Sequence, residues 1–299
     1  MKKNQERSRT ARIKDIRFLK KMRTVLKYPG SKWNIARQLV SLIPEHHSYV
    51  EPYFGSGAVL FNKPPSDIET VNDLDSDVVN LFLCIQEDSE RLARMVMTTP
   101  FSREMYDSAF DFEDFITEVI GEEPYRKALV FLIKCWQGHG FRTSGGKVGW
   151  KNDVVGREKA YALWNWYRLP EWIIDIAERL RKVQIENRPA LEVIKRFNRE
   201  GVFMYIDPPY LLGIRTGKQY VHEMTDSDHE ELLEKLLQSK AKIMISGYAS
   251  DMYNDYLKDW NKCTFNSCAE HGKPRNEVIW MNYGDVQLSF ENIFSEVLP

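Results

Sequence analysis

The apolar run Val202-Phe203-Met204-Tyr205-Ile206, closed by Asp207-Pro208-Pro209-Tyr210, constrains this chain more than any other segment. It reads as a buried strand that stops at an acid, two rigid prolines and an aromatic ring. Consecutive prolines fix φ and lack an N–H, so the chain leaves the strand as a stiff loop whose carbonyls remain free to accept hydrogen bonds. An exocyclic amino group carries two hydrogens, and the Asp207 carboxylate with the Pro208 carbonyl can accept both. The nitrogen lone pair then points out of the base plane toward an electrophile. Tyr210 can stack on the same base, a contact worth roughly 1–3 kcal/mol in nucleic-acid systems. The plainer alternative is an ordinary strand exit with a surface aspartate.

The rest of the chain narrows the class. With 299 residues and 43% hydrophobic content it can bury one large core, or one core and an inserted subdomain. No apolar run approaches the 18 or so residues of a membrane span, and the start has no apolar signal-peptide core, so a cytoplasmic location is expected. Cys84, Cys135, Cys263 and Cys268 lack C-x-x-C spacing, and His46, His47, His139, His222, His229 and His271 lack the spacing of a zinc helix. A metal-free mechanism is therefore expected. Charge is uneven: residues 1–24 hold ten Lys/Arg against Glu6 and Asp15, a net +8, which leaves 32 basic and 41 acidic residues, a net −9, for the remainder. A basic arm on an acidic body suggests a polyanion partner, because neutralised phosphates release counterions; a solvated leader is the alternative.

Periodicity places the motifs. A helix is expected over 32–43 with Ser31 as its cap, since Ile35, Leu39 and Leu42 share a face. Ser48 to Glu51 reads as a short buried strand, and Pro52-Tyr53-Phe54-Gly55-Ser56-Gly57 as a strand-to-helix turn that lets a ligand approach the backbone. A second strand, Ile68 to Val71, leads to Asn72-Asp73 and a helix from Ser76 that buries Val78, Val79, Phe82 and Ile85. This is the start of an α/β sheet. From 86 to 182 the texture turns helical and aromatic, with a glycine-rich loop Gln137 to Lys147 and with Trp150, Trp164, Trp166 and Trp172 as packing residues; this region is predicted to be an inserted subdomain. Strands are expected again at Val183 to Glu186, into Asp207, at Lys242 to Ser246 and at Asn276 to Asn282. Leu211 to Thr225 is expected as a mobile loop over the site, and Ser227 to Glu230 as a capping box.

Three sites then fall at the carboxyl ends of strands, where α/β sheets bind ligands: the Gly55/Gly57 turn, Asp73 and Asp207. Asp73 is placed to accept hydrogen bonds from ribose hydroxyls. Leu60 occupies the position where a dinucleotide fingerprint needs a third glycine, so a smaller nucleoside ligand fits better than NAD.

Taken together these residues resemble the DNA adenine-N6 methyltransferases of the Dam class, with the cofactor turn first, the target-recognition region next and the catalytic tetrapeptide last. The resemblance covers roughly 25–85 and 183–285. It implies an α/β fold, a Rossmann-like S-adenosylmethionine-dependent methyltransferase sheet over 25–85 and 183–299. A mainly helical target-recognition subdomain at 86–182 would interrupt it, and a basic arm at 1–24 would precede it. It also implies S-adenosyl-L-methionine as cofactor, S-adenosylhomocysteine as product and double-stranded DNA as partner. By resemblance Lys27-Tyr28-Pro29-Gly30-Ser31-Lys32 helps hold the methionine end of the cofactor. Glu51, Pro52, Phe54, Gly55, Ser56 and Gly57 form the cofactor turn, and Asp73 is the ribose-binding acid. Asp207, Pro208, Pro209 and Tyr210 are then the catalytic residues for an adenine flipped out of duplex DNA, and Asp207 is also counted among the cofactor-binding residues.

Lys27, Arg142, Thr143, Ser144 and Lys147 are candidate DNA contacts, because Arg and Lys read guanine edges in the major groove; a loop touching only phosphates is the alternative. Arg215 and Lys218 are candidate backbone contacts near the flipped base. One departure stands out: the family often carries an acid just before the helix near Ala190, and this chain has Pro189. Glu186, Asn187 or the backbone near Ile206 are substitutes for contact with the cofactor's adenine, or no side chain makes it. Cytosine-N4 methylation and an inactive cofactor-binding specificity subunit remain the rival functions. A cognate restriction endonuclease is an allowed partner, and a monomer or weak dimer the expected state.

Overall fold

The computed structural model describes residues 22–111, 123–140, 146–152, 161–213, 219–268 and 274–284. Seven strands form one sheet among them: β1 (Ser48–Glu51), β2 (Ile68–Asn72), β3 (Val183–Glu186), β4 (Val202–Ile206), β5 (Lys242–Gly247), β6 (Asn261–Cys268) and β7 (Pro274–Met281), in the order β3-β2-β1-β4-β5-β7-β6. β1 to β5 pair in parallel, and β7 runs antiparallel to both β5 and β6. The chain steps from β1 outward to β2 and β3, then returns to lay β4 on the other side of β1. The switch point of the sheet therefore lies between β1 and β4, where a crevice opens outside the strands' carboxyl ends.

The period of two along β4 explains why all five of its residues are buried. Phe203 and Tyr205 enter one core with Tyr49, Val71, Met244 and Ile279; Val202, Met204 and Ile206 enter a second with Val50, Ile243, Ile245 and Trp280. Each such side chain contributes about 1.5–3 kcal/mol on burial. The helices are α1 (Ala36–Ser41), α2 (Ser76–Thr98), α3 (Arg103–Ser108), α4 (Glu123–Gln137), α5 (Tyr161–Leu180), α6 (Ala190–Arg196), α7 (Asp226–Leu237) and α8 (Asp251–Tyr256). α2 buries Val78, Val79, Phe82 and Ile85 as expected and kinks at Asp88, whose Oδ1 accepts from Arg91 N at 2.9 Å and caps the second half. Tyr125, Leu132 and Trp136 of α4 and Trp166, Ile173 and Ile176 of α5 join the core of Phe203 and Tyr205. Both helices thus lie in the layer covering one face of the sheet.

Several local expectations are corrected. Helix α1 begins at Ala36 rather than near 32, and Ser31 does not cap it: the Ser31 hydroxyl is bonded to Ser56 Oγ at 2.7 Å, in the glycine turn. That turn does not open a helix. It gives a single 3₁₀ turn, Leu60–Asn62, because Pro64 and Pro65 follow at once and cannot continue a helix. The capping box of α7 is Thr225 with Asp228, and Ser227 lies inside the first turn. Trp166 and Trp172 are buried and Trp150 packs against the core, whereas Trp164 is 61% exposed and is not a packing residue. Cys84, Cys135 and Cys263 are buried free thiols. Most of the basic arm lies outside the described residues, as do His271, Arg142, Thr143, Ser144, Arg215 and Lys218.

Candidate active site

Every element that meets at the switch point delivers a polar group to one crevice. β1 ends on Glu51, buried and accepting from Tyr49 OH at 2.8 Å; burial pushes its carboxyl up to about 8. The turn that follows is tied to β2, since Phe54 N donates to Asn72 O at 2.9 Å and Asn72 Nδ2 to Pro52 O at 2.9 Å. The Asn72 side chain also bonds Arg188 on both its atoms, at 2.9 and 3.0 Å, so it clamps the ends of three strands together. Gly55 and Gly57 have φ of +49° and +68°. A Cβ on Gly57 would meet Phe61 and Phe54 at 2.5 and 2.6 Å, so that turn accepts only glycine.

Asp73 receives Gly55 N on one oxygen at 2.7 Å and Asp75 N on the other at 2.9 Å. It is held up at about 6 by burial, against the pull of the Gly55, Asp75 and Leu74 N–H groups. The residue lines a cavity of about 290 Å³. Tyr28, Pro29, Gly30, Lys32, Glu51, Pro52, Phe54, Gly55, Ser56, Asp207, Pro208 and Pro209 line the same cavity, and Gly57 braces it from behind.

The half-buried carboxylate of Asp207 is not alone. Lys32 Nζ lies 3.0 Å from Asp207 Oδ1 and 3.6 Å from Glu277 Oε1, donates to Gly30 O at 2.6 Å, and sits 4.8 Å from the Tyr210 ring centre. Tyr210 OH lies 3.2 Å from Asp207 Oδ1 and donates to Glu277 Oε1. Burial pushes both carboxyls upward, only partly countered by Lys32 and Tyr210; for Lys32 burial would lower the value, but Asp207 and Glu277 outweigh it and raise it. The Tyr210 ring meets Tyr248 edge-on at 4.5 Å.

The described end of the 211–225 loop is fastened over the cavity. Tyr220 OH donates to Pro29 O at 3.1 Å, its ring packs on Tyr28 at 5.7 Å, and Glu223 accepts from Gln219 N and Tyr220 N. Tyr220 and His222, of the loop expected over the site, line the cavity, whereas Glu277 and Tyr248 were not expected in the site. A lone acid ahead of Val278-Ile279-Trp280-Met281 was the signal for Glu277. Of the substitutes for an acid at Pro189, Glu186 is paired with Arg196, and Asn187 Nδ2 donates to Asp73 O at 2.8 Å. Neither lines the cavity; Pro189, Ala190 and Leu191 form an apolar wall there.

Candidate DNA contacts lie nearby in part. Lys27 sits 4.1 Å from the Trp136 ring centre, and burial, with Lys151 as neighbour, lowers it to about 7. Gly138 and Trp150 form an isolated antiparallel bridge, with His139 N donating to Gly149 O at 2.8 Å. Lys147 is engaged by Asp107 at 2.9 Å, so its charge is already partly matched.

A profile of the D12 class N6 adenine-specific DNA methyltransferases matches residues 28–270, most of the chain. The protein belongs to this family. A DNA adenine methylase of Serratia marcescens is 25% identical over 254 residues, covering 80% of this chain and 88% of that protein. The type II methyltransferase M1.LlaDCHI of Lactococcus lactis subsp. cremoris is 24% identical over 281 residues, covering 88% and 96%. The type II methyltransferase M.MjaIII of Methanocaldococcus jannaschii is 24% identical over 262 residues, covering 79% and 88%. The chain is thus a DNA methyltransferase specific for adenine N6 and dependent on S-adenosylmethionine, and neither cytosine-N4 methylation nor an inactive specificity subunit is favoured. The crevice fits that cofactor: its carboxylates suit hydroxyls and cationic groups, and the Gly55 turn lines the same cavity. Among the described residues no helix is long and apolar enough to cross a membrane, and no group of metal-binding side chains occurs.

Proposed function

We propose that the methyltransferase acts on an adenine flipped out of duplex DNA, with Asp207 and the Pro208 carbonyl accepting the two N6 hydrogens and Tyr210 stacking on the ring. The observation that carries this reading is the placement of a half-buried Asp207 at the switch point, beside the glycine turn, with Oδ1 already facing Lys32 and Tyr210 and Oδ2 left for an amine. Bound S-adenosylmethionine supplies the electrophilic methyl carbon. Glu51, the Gly55/Gly57 turn and Asp73 hold it, together with Tyr28, Pro29, Gly30 and Ser56. As the N6 lone pair bonds the methyl carbon, the sulfur–methyl bond would break with its electron pair leaving on the sulfur of S-adenosylhomocysteine, and the nitrogen becomes cationic; two acids for one lysine stabilise that charge, and Asp207 is the nearest base for the proton it then loses. Positioning and this electrostatic relief supply the catalysis. Flipping costs a few kcal/mol, which stacking offsets.

The division of labour follows the same reading. Residues 25–85 and 183–299 carry the chemistry, 86–182 select the target through the hairpin loop with Arg142, Thr143, Ser144 and Lys147, and the 1–24 arm and Lys27 contact phosphates or base edges. Arg215 and Lys218 contact the backbone near the extruded base. No metal takes part, and the enzyme works in the cytoplasm as a monomer or weak dimer. The type II naming of two relatives supports a restriction endonuclease as companion. Single-molecule sequencing of DNA from expressing cells identifies the target sequence. A duplex with 2-aminopurine at the target adenine then fluoresces more strongly on binding if the base is flipped; an unchanged signal removes the flipping step.

A further inference from the structure

Glu277 stands on β7 where its position predicts an apolar side chain. Ile279 and Met281, on the same face, are core residues, and Glu277 itself is 4% exposed. Burying a carboxylate costs several kcal/mol unless it is well paired. A structural ion pair would match it with one cation, yet here two acids share a single lysine: Lys32 Nζ is 3.0 Å from Asp207 and 3.6 Å from Glu277. The feature that distinguishes Glu277 from a counterion is Tyr210. A phenol has one proton to give. Tyr210 OH has two carboxylates in reach, Asp207 Oδ1 at 3.2 Å and Glu277, which is closer.

We propose that Glu277 is a positioning residue for methyl transfer: by taking the Tyr210 proton and a share of Lys32, it keeps Asp207 able to accept the adenine amine and fixes the plane of the ring on which the base stacks. Without Glu277, the phenol donates fully to Asp207 Oδ1, 3.2 Å away, and draws charge from the carboxylate whose Oδ2 is to accept the amine. The Tyr210 ring also loses the anchor that Glu277 gives its hydroxyl, beside its edge contact with Tyr248. The proposal rests on the assignment of Asp207 and Tyr210 given above.

The test compares Glu277→Ala and the isosteric Glu277→Gln, each alone and combined with Tyr210→Phe, beside Asp207→Ala. Glu277→Ala is expected to lower kcat about 100-fold, the scale of a small misplacement of reacting groups. The KM for DNA and the calorimetric Kd for S-adenosylmethionine should stay within about threefold. Glu277→Gln, which still accepts from Tyr210 OH, is expected to recover at least about tenfold of that loss. In the Tyr210→Phe background, where no phenol competes, Glu277→Ala should cost much less than in the wild type, a coupling between neighbours. Wild-type kcat in both Glu277 variants, or losses that are additive with Tyr210→Phe, overturn the proposal. So does a Glu277→Gln variant that falls in kcat, cofactor affinity and melting temperature together, since that is a folding defect. If Asp207→Ala turns over normally, the assignment of Asp207 fails instead, and the two failures are told apart.

Discussion

Two buried charge clusters stand at opposite ends of the sheet. At the amino-terminal end, Glu69 on β2 accepts from Lys63 Nζ at 2.5 Å and from Arg179, whose other guanidinium nitrogen is 2.7 Å away. Lys63 is further bonded to Pro64 O and Ser66 Oγ, both at 2.8 Å. Burial would raise the Glu69 carboxyl, but Arg179 and Lys63 outweigh it and hold it below its ordinary value. At the carboxyl-terminal end, Asp207 and Glu277 share Lys32, and burial leaves both raised. One acid between two cations is satisfied and inert. Two acids around one cation retain acceptor capacity and a negative field in a crevice, which is the condition for binding a group that turns cationic during the reaction. Burial is common to both ends; the ratio of charges separates a brace from a site.

That contrast can be broken most sharply by removing one acid from each end. Asp207→Ala is expected to lower methyl transfer by about 10³-fold or more, the scale of losing a preorganised electrostatic group, while cofactor affinity and melting temperature hold. Near-normal turnover would leave the acidic cluster without its role. Glu69→Ala, in contrast, should destabilise by about 3–5 kcal/mol, read by urea denaturation, because Lys63 and Arg179 are left buried without the carboxylate that balances their charge. If its stability is unchanged, the brace is not a brace. Its kcat per folded molecule should stay near the wild-type value.

Smaller effects sharpen the comparison. Asp73→Ala should weaken S-adenosylmethionine binding about tenfold or more by calorimetry, through both the lost acceptor and the loosened Gly55 turn; an unchanged Kd would remove Asp73 from the cofactor site. Proton linkage gives the smallest signal. Glu51 and Asp73 sit at about 8 and about 6 in the folded protein, above ordinary carboxylates, so they favour the fold at low pH and that contribution fades as pH rises through those values. A cationic cofactor drives their protons off, so its affinity should rise between about pH 6 and 8. At pH 7, calorimetry in buffers of different ionisation heat should register proton release; none would mean that the acids do not face the cofactor's charge.

Much of this was legible in the sequence wherever the signal was local. The run Val202 to Ile206 needs no partner to be read as a buried strand, and Asp207-Pro208-Pro209-Tyr210 fixes what stands at its end. Asp73 and the Gly55/Gly57 turn follow from strand ends and glycine chemistry. The misreadings share a cause, another residue that takes the role a local pattern assigns. Ser31 has the chemistry of a helix cap, but Ser56, 25 residues on, takes its hydroxyl. Ser227 has a capping form too, yet Thr225 stands two residues earlier and completes the box with Asp228. Glu277 could be noticed as an acid among apolar residues, but its partners Lys32 and Tyr210 lie 245 and 67 positions away along the chain, and only the folded sheet brings them together.

The central claim is that the crowded acid at the end of β4 directs a methyl group onto adenine. Mass analysis of nucleosides from DNA treated with the wild-type enzyme and with Asp207→Ala tests it most directly. The expected result is N6-methyladenine from the wild type alone, with S-adenosylmethionine affinity within about threefold in the variant. N4-methylcytosine in its place, or N6-methyladenine at wild-type rate from Asp207→Ala, would contradict it.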